Sequence, residues 1–223
     1  LFHLEECGKN IPECDTTMGE CFLGAGYHTV GIGKWHNGVA SYARSFDGGA
    51  DVFFGGMWDH WNVPVNDFHA DGVYSREIDF TPNFTANETP VKVRAEKINA
   101  GVHSSELFAD AAAEHIRSRT YDAPFFMYLS FLAPHDPRTM PEKYRSMYDP
   151  EKITLPPNFA EMPSVSFGWA AKGRDENTEA YPRRPEKVRQ HIADYYAMIS
   201  HLDDCIGRVL DALRERGELD DTI

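Results

Sequence analysis

Two short segments of the 223-residue chain carry side chains that could bind an anion and act on it. In the first, GIGKWHNG, Lys34 and His36 follow a short apolar run that a glycine closes. In the second, APHDP, His135 follows a longer apolar run. A lysine and two histidines can all donate hydrogen bonds to an anion, so a phosphate or sulfate ester is the simplest ligand. Taken singly, each histidine is also an ordinary loop residue, and Lys34 could simply extend over the ring of Trp35.

The elements that must position these side chains are two predicted strands. Residues 27–32 form one, and residues 125–132 form the other, which is apolar throughout and is expected to be buried on both faces within a parallel sheet. Ligands of open α/β sheets bind at the carboxyl ends of the strands. We therefore expect Lys34, His36 and His135 to converge on one pocket.

Helical patterns surround these strands. The periodicity predicts helices over residues 17–25, 104–119 and 185–216. Ser104 or Ser105 would cap the second helix, and the third carries one continuous apolar stripe. A helix followed by a buried strand is half of a βαβ unit, so the pattern predicts an α/β fold with a mostly parallel sheet flanked by helices. The final LDDTI is predicted to begin a further strand.

Two regions lack clear periodicity. Residues 37–103 are predicted to form a long irregular excursion with short strands, and residues 138–185 a Pro-rich loop region. Aromatic, imidazole and amide side chains in the excursion could line a subsite for a sugar; they are Trp58, His60, Trp61 and Asn62. The tryptophans could equally fill core. Arg138, at the start of the second region, is a further candidate for substrate binding.

Composition excludes some classes of partner. The net charge of −13 argues against nucleic acid but not against a small anion held in a local cationic pocket. No stretch contains 18 consecutive apolar residues, so no membrane span is expected, and no signal peptide is visible at Leu1. The four cysteines are Cys7, Cys14, Cys21 and Cys205. They form no C-x-x-C pair, so no structural zinc site is predicted, and free thiols or one disulfide fit equally well.

Three segments carry a resemblance to a known family. AGYHTVGIGKWHNG resembles a hallmark of the sulfatases of the alkaline phosphatase superfamily, and PFFMYLSFLAPHDP resembles their second hallmark, a buried strand followed by Ala-Pro-His. HIADYYAMISHLDDCIGRVLDALRERGELDDTI resembles the long helix before their last metal-binding strand. The matches follow the family's order and thin out only between residues 62 and 103. The resemblance implies an alkaline-phosphatase-like sandwich, incomplete at both ends, with residues 1–223 as part of a sulfatase catalytic domain.

The resemblance also implies roles for three side chains. Lys34 would bind the sulfate, His36 would contact the nucleophile and assist breakdown of the covalent intermediate, and His135 would bind the ester and protonate the leaving oxygen. Sulfate transfer concentrates negative charge on oxygen atoms, so cationic donors held in place suit its transition state. The expected activity is hydrolysis of a sulfate ester, with a sulfated carbohydrate as substrate. Family members are usually secreted, periplasmic or lysosomal.

The chain also departs from the family's pattern. The formylglycine nucleophile of the family arises from a C/S-x-P-x-R motif, and this sequence contains none. The family's calcium ligands would precede Leu1 and follow Ile223, so we expect no metal ligands here and no turnover by the isolated chain. Two other interpretations stay open: a phosphodiesterase or phosphonate hydrolase of the same superfamily, and a noncatalytic glycan-binding relative that has lost its nucleophile.

Overall fold

A computed structural model describes residues 10–80, 90–162 and 179–223. The strands, in chain order, are β1 (His28–Lys34), β2 (Gly48–Phe53), β3 (Pro64–Val65), β4 (Glu77–Phe80), β5 (Val91–Arg94), β6 (Lys97–Ile98) and β7 (Phe125–Ser130). The helices are α1 (Met18–Gly24), α2 (Val39–Ser45), α3 (Ser104–Ser118), α4 (Glu142–Arg145) and α5 (Pro185–Glu215). The chain divides into two compact units, the first formed by residues up to Pro137 together with 202–223, the second by 138–201.

A parallel sheet with the strand order β2-β1-β7 is the centre of the first unit. In its register, Lys34 at the end of β1 pairs with Phe53 of β2, and Gly33 pairs with Ser130 of β7. All three strands therefore end at the same edge of the sheet. This arrangement confirms the predicted α/β fold with a parallel sheet. Two short antiparallel ribbons, β3-β6 and β4-β5, lie in the segment between β2 and α3.

The helices of the first unit are fixed by capping and by an apolar face. Thr17 caps α1 in a reciprocal capping box with Glu20, which satisfies two main-chain N–H groups that the helix start leaves free. Phe108 of α3 is fully buried against the sheet, in the same core as Val30 and Ile32 of β1. This packing holds the start of α3 in a defined position relative to the strand ends.

The second unit comprises residues 138–201, among them α4 and the first part of α5. The Tyr148 and Ser200 hydroxyls are 2.7 Å apart, and the Arg189 Nε donates to the carbonyl of Ile153 at 3.1 Å. These contacts join the segment after α4 to the helix. Where it is described, the proline-rich region consists of short turns, the one-turn helix α4 and a 3₁₀ turn at Pro150–Lys152.

The structure corrects three expectations. The excursion predicted from residue 37 begins later, because α2 and β2 precede it and β2 belongs to the central sheet. β7 is only partly buried, with Tyr128 39% exposed, because among the described strands it pairs with β1 alone. LDDTI forms a 3₁₀ turn at Leu219–Asp221 instead of a strand. The three predicted helices are confirmed to within about two residues at each end.

The structure also bears on the state of the cysteines and on membrane-spanning helices. Cys14 and Cys21 are exposed free thiols and Cys205 is a buried one, while Cys7 lies outside the described residues. No helix in the described ranges has both the length and the apolar character required to cross a bilayer.

Candidate anion-binding site

Lys34 occupies the last position of β1, at the edge where the parallel strands end. Its side chain is half-buried, and burial lowers the pKa of the ammonium below its usual range. No charged neighbour among the described residues offsets this loss of hydration. A partly desolvated cation without a counter-ion is stabilised by any anion that comes within a few ångströms.

Trp35 anchors the turn that follows Lys34. Its indole Nε1–H donates to the carbonyl of Gly38 at 2.9 Å and lies 3.0 Å from the Ser41 hydroxyl, and its main-chain N–H donates to Phe53 at 2.9 Å. The ring is buried against three aromatic side chains, in edge-on or near edge-on contacts. The turn is therefore rigid, and it presents the exposed His36 in a fixed direction.

His36 lies against the loop after β2. A Cβ atom on Gly56 would stand 2.8 Å from Cε1 of the His36 ring, a distance that real Cβ atoms do not adopt. Glycine at position 56 thus allows the main chain to approach the imidazole closely. Gly56 contributes to the site by its lack of a side chain, and no motif in the sequence distinguishes it from its neighbours.

His135 follows β7 on a short turn at the same edge. Its main-chain N–H donates to the carbonyl of Leu132 at 3.0 Å, and its ring Nδ1 lies 3.2 Å from the carbonyl oxygen of Asp136. Because a carbonyl only accepts, Nδ1 carries the proton of that hydrogen bond. The ring is exposed, so Nε2 is the nitrogen left for an incoming ligand.

His60 is fully buried, unlike the other residues predicted for a sugar subsite. Its Nε2 lies 3.1 Å from the carbonyl oxygen of His135, and its Nδ1 lies 2.8 Å from the Ser104 hydroxyl. Burial lowers the pKa of His60, so the ring is neutral near neutral pH. Its ring stacks on His103 with centroids 4.9 Å apart. The sequence predicts Ser104 or Ser105 as the cap of α3, but His103 is the cap and accepts from the main-chain N–H of Ser105. The contact of Ser104 with His60 spans 44 residues and leaves no local sequence signal.

The remaining candidates of the excursion are partly exposed. Trp58 packs between Phe53 and Phe80 at the margin of the core. This position agrees with the alternative that Trp58 fills core instead of contacting a sugar. Trp61 lies edge-on to His103, with centroids 5.1 Å apart. The Asn62 amide donates to Asp59 at 2.6 Å and so stiffens the turn between them.

Arg138 belongs to the second unit. There it lines a cavity of about 590 Å³ together with Leu155, Pro156, His191 and Tyr195. The structure thus brings Lys34, His36, His135 and the 58–62 segment into the first unit, and it places Arg138 in the second. The predicted substrate-binding role of Arg138 stays a prediction.

No metal centre is apparent in the described parts of the chain. Within residues 10–80, 90–162 and 179–223 there is no group of three or more His, Cys, Asp or Glu side chains arranged to hold a metal ion. These described residues therefore do not supply the calcium site that the resemblance implies for the family.

The fold is that of an α/β protein, and it carries cationic and imidazole groups at the edge where its parallel strands end. The sulfatase family model matches residues 3–223, and the chain therefore belongs to the sulfatase family. The family is generally metal-dependent.

Individual relatives agree with this assignment. An uncharacterized sulfatase of Schizosaccharomyces pombe is 30% identical over 92% of this chain and 39% of its own length. An arylsulfatase of Clostridium perfringens is 27% identical over 94% of this chain and 45% of its own length. The chain thus spans less than half the length of these curated relatives.

Solved structures share the fold. A protein of Bacteroides fragilis described as a sulfatase superposes with a TM-score of 0.60 at 18% identity, over 95% of this chain and 42% of that one. A second protein, solved with its substrate D-glucosamine-2-N,6-O-disulfate, superposes with a TM-score of 0.59 at 17% identity, over 96% of this chain and 49% of that one.

Proposed function

We propose that the protein containing this chain hydrolyses sulfate esters of a sulfated carbohydrate. The observation that carries the proposal is Lys34, a half-buried ammonium at the strand-end edge whose lost hydration no charged neighbour offsets among the described residues. Such a cation favours an anionic ligand, because attraction to the negative charge offsets the hydration that the ammonium has lost by burial. Because the chain belongs to the sulfatase family, sulfate is the anion that we propose for Lys34.

Each of the three edge residues has a distinct task in this proposal. Lys34 would hold the non-bridging oxygen atoms of the sulfate, where charge accumulates in the transition state. His135 would give the leaving sugar oxygen a proton from Nε2 and so act in its doubly protonated form, since its Nδ1 already donates to the Asp136 carbonyl. His36 would contact the nucleophile, and the rigid turn after β1 would fix its direction.

A sulfated sugar is the substrate class that the loop after β2 suits best. Trp61 and Asn62 are partly exposed next to His60, whose ring is bonded to the His135 turn. Aromatic faces and amide donors match sugar rings and their hydroxyls. A relative in fold binds a disulfated glucosamine as its substrate, which supports the same class here. Trp58 and Arg138 are weaker candidates for substrate contacts.

The nucleophile and the metal ion are not assigned to this chain. The sequence contains no C/S-x-P-x-R motif. We therefore propose that a formylglycine nucleophile and calcium ligands come from other parts of the full-length protein. The isolated 223-residue chain should show no turnover, and sulfate release by the purified chain would contradict this division of tasks. A secreted, periplasmic or lysosomal location is proposed from the family alone.

The test uses the full-length protein. Sulfate release from glucosamine-2-N,6-O-disulfate and from an aryl sulfate would be measured for the wild type and for two lysine variants. Lys34→Ala should lower kcat on the order of 10²-fold or more, as expected for loss of a transition-state donor. The control is Lys92→Ala, because Lys92 is exposed and its one ion pair with a described residue is a long contact of 3.7 Å with Glu77.

A matched histidine pair completes the design. His135→Ala should lower kcat by a similar factor, whereas His28→Ala, at the opposite end of β1, should not. Preferential turnover of phosphate diesters or phosphonate esters would favour the other hydrolases of the superfamily. Binding of the glycan without any sulfate release would favour a noncatalytic relative, and normal kcat in Lys34→Ala would remove that residue from the site.

A further inference from the structure

The hydrogen bonds of His60 define which of its ring nitrogens carries the proton. The carbonyl oxygen of His135 can only accept, so Nε2 of His60 donates to it across 3.1 Å. In the neutral ring Nδ1 is then an acceptor, and the Ser104 hydroxyl must donate to it across 2.8 Å. Both nitrogens are used, and the ring has no exposed surface left for a substrate.

Ser104 and His60 are joined twice. Besides the contact between side chains, the main-chain N–H of Ser104 donates to the carbonyl of His60 at 2.7 Å. Ser104 is the first residue of α3, which is anchored in the core by the fully buried Phe108. The helix therefore fixes Ser104, Ser104 fixes the His60 ring, and the ring reaches the turn that carries His135.

Within the turn, the hydrogen bonds of His135 itself are local. The His135 ring is exposed; its Nδ1 donates to the carbonyl of Asp136, and the main-chain N–H of His135 donates to the carbonyl of Leu132, both within the same turn. The bond from His60 spans 75 residues and connects this turn to a different part of the fold. A donor that must meet a leaving oxygen depends on such restraints, because a misplacement of about 1 Å can cost about 10²-fold in rate.

We propose that His60 is a positioning residue for His135: the buried imidazole, oriented by the Ser104 hydroxyl, holds the main chain that brings the His135 ring to the strand-end edge. The inference rests on the proposed function, since His135 is the proton donor of that proposal. It assigns His60 a different role from the sugar contact expected from the sequence. A sugar contact requires exposed ring atoms, which His60 lacks.

The variants separate the two ends of the imidazole. The amide nitrogen of Gln can reach the position of Nε2, whereas that of Asn reaches only the position of Nδ1. His60→Gln therefore keeps a donor for the His135 carbonyl, and His60→Asn removes it. Ser104→Ala removes the donor to Nδ1 alone. The matched control is Ser105→Ala, because the Ser105 hydroxyl is equally buried but has no hydrogen-bond partner among the described residues.

Two quantities would be measured on each variant of the full-length protein: amide hydrogen exchange of the peptide covering residues 131–137, and kcat and KM for sulfate release. We expect faster exchange and a loss of about 10- to 100-fold in kcat for His60→Asn, with KM changed by less than about threefold. His60→Gln should recover part of both effects. Ser104→Ala should shift both measurements in the same direction by a smaller factor, and Ser105→Ala should match the wild type.

Opposite outcomes would overturn the inference. Unchanged exchange in the 131–137 peptide of His60→Asn removes the positioning role, and a raised KM at unchanged kcat indicates a direct substrate contact instead. If His60→Asn fails to fold, Ser104→Ala decides by the same two criteria. If the wild type releases no sulfate, the proposed function fails. The exchange pattern alone then supports or overturns the restraint that His60 places on the His135 turn.

Discussion

A Cβ atom on Gly33 would lie 2.2 Å from the carbonyl oxygen of Ser130, the residue that Gly33 faces across β1 and β7. Gly33 also has a φ of +87°, a conformation that glycine adopts readily and L side chains rarely do. The main chain can therefore turn directly before Lys34 only because position 33 has no side chain.

Gly33→Ala should consequently destabilise the protein and misplace Lys34. The strained φ costs about 1–2 kcal/mol, and the contact with a main-chain oxygen of β7 adds to it, so we expect a loss of at least about 2 kcal/mol in the free energy of unfolding. Urea denaturation monitors this loss. The control is Gly26→Ala, since Gly26 has a similar φ of +85° but open space around its Cβ position. Equal losses in the two variants would mean that the approach of β7 contributes nothing.

One fully buried and one partly buried histidine should make the protein less stable in mild acid. Burial lowers the pKa of both His60 and His115 in the folded state. As the pH falls below the ordinary histidine value of about 6.5, the unfolded chain takes up protons that the folded chain does not, so the free energy of unfolding falls. The loss continues until the lowered folded-state pKa is reached. Each residue contributes at most about 1.4 kcal/mol per pH unit within that window.

The measurement is the free energy of unfolding in urea between about pH 7.5 and about pH 5. His115→Gln should show a flatter dependence on pH than the wild type, because one titrating group has been removed while a donor remains near the Tyr121 hydroxyl, 2.9 Å from the native ring. Identical slopes for the wild type and His115→Gln would show that His115 titrates alike in both states.

Strongly patterned parts of the fold could be predicted from the sequence. The apolar stripe of α5 and the apolar run of β7 mark these elements, and a short apolar run followed by Lys34 marks the end of β1. β2 could not be predicted, because its GGADVF sequence begins with two glycines, which normally weaken a strand. Here Gly49 leaves room for β1, because a Cβ at position 49 would stand 2.4 Å from the Gly31 carbonyl oxygen.

The candidate site was predictable to a similar degree. Lys34 ends β1 and His36 and His135 follow β1 and β7, so the rule that ligands bind at strand ends predicts them at one edge. The burial of His60 could not be predicted, because the polar DHWN surroundings are those of a loop. Its neutral ring is stabilised by Ser104 and by the His135 carbonyl, contacts of 44 and 75 residues in sequence separation. Long-range pairing of this kind leaves no periodicity to detect.

Lys34 should oppose stability while it supports activity. Its half-buried ammonium has lost water without gaining a counter-ion among the described residues, so replacing the charge with an apolar side chain of similar length relieves an unfavourable state. We expect Lys34→Met to raise the free energy of unfolding of the full-length protein by about 0.5 kcal/mol, at the low end of the range for single stabilising substitutions, because solvent still screens the partly exposed ammonium. The same variant should lower kcat for sulfate release on the order of 10²-fold.

Lys92→Met serves as the control and should change both quantities little, because Lys92 is solvated. A destabilised Lys34→Met protein would indicate that the ammonium is paired within the folded full-length protein, and the case for an anion-seeking lysine would then be lost.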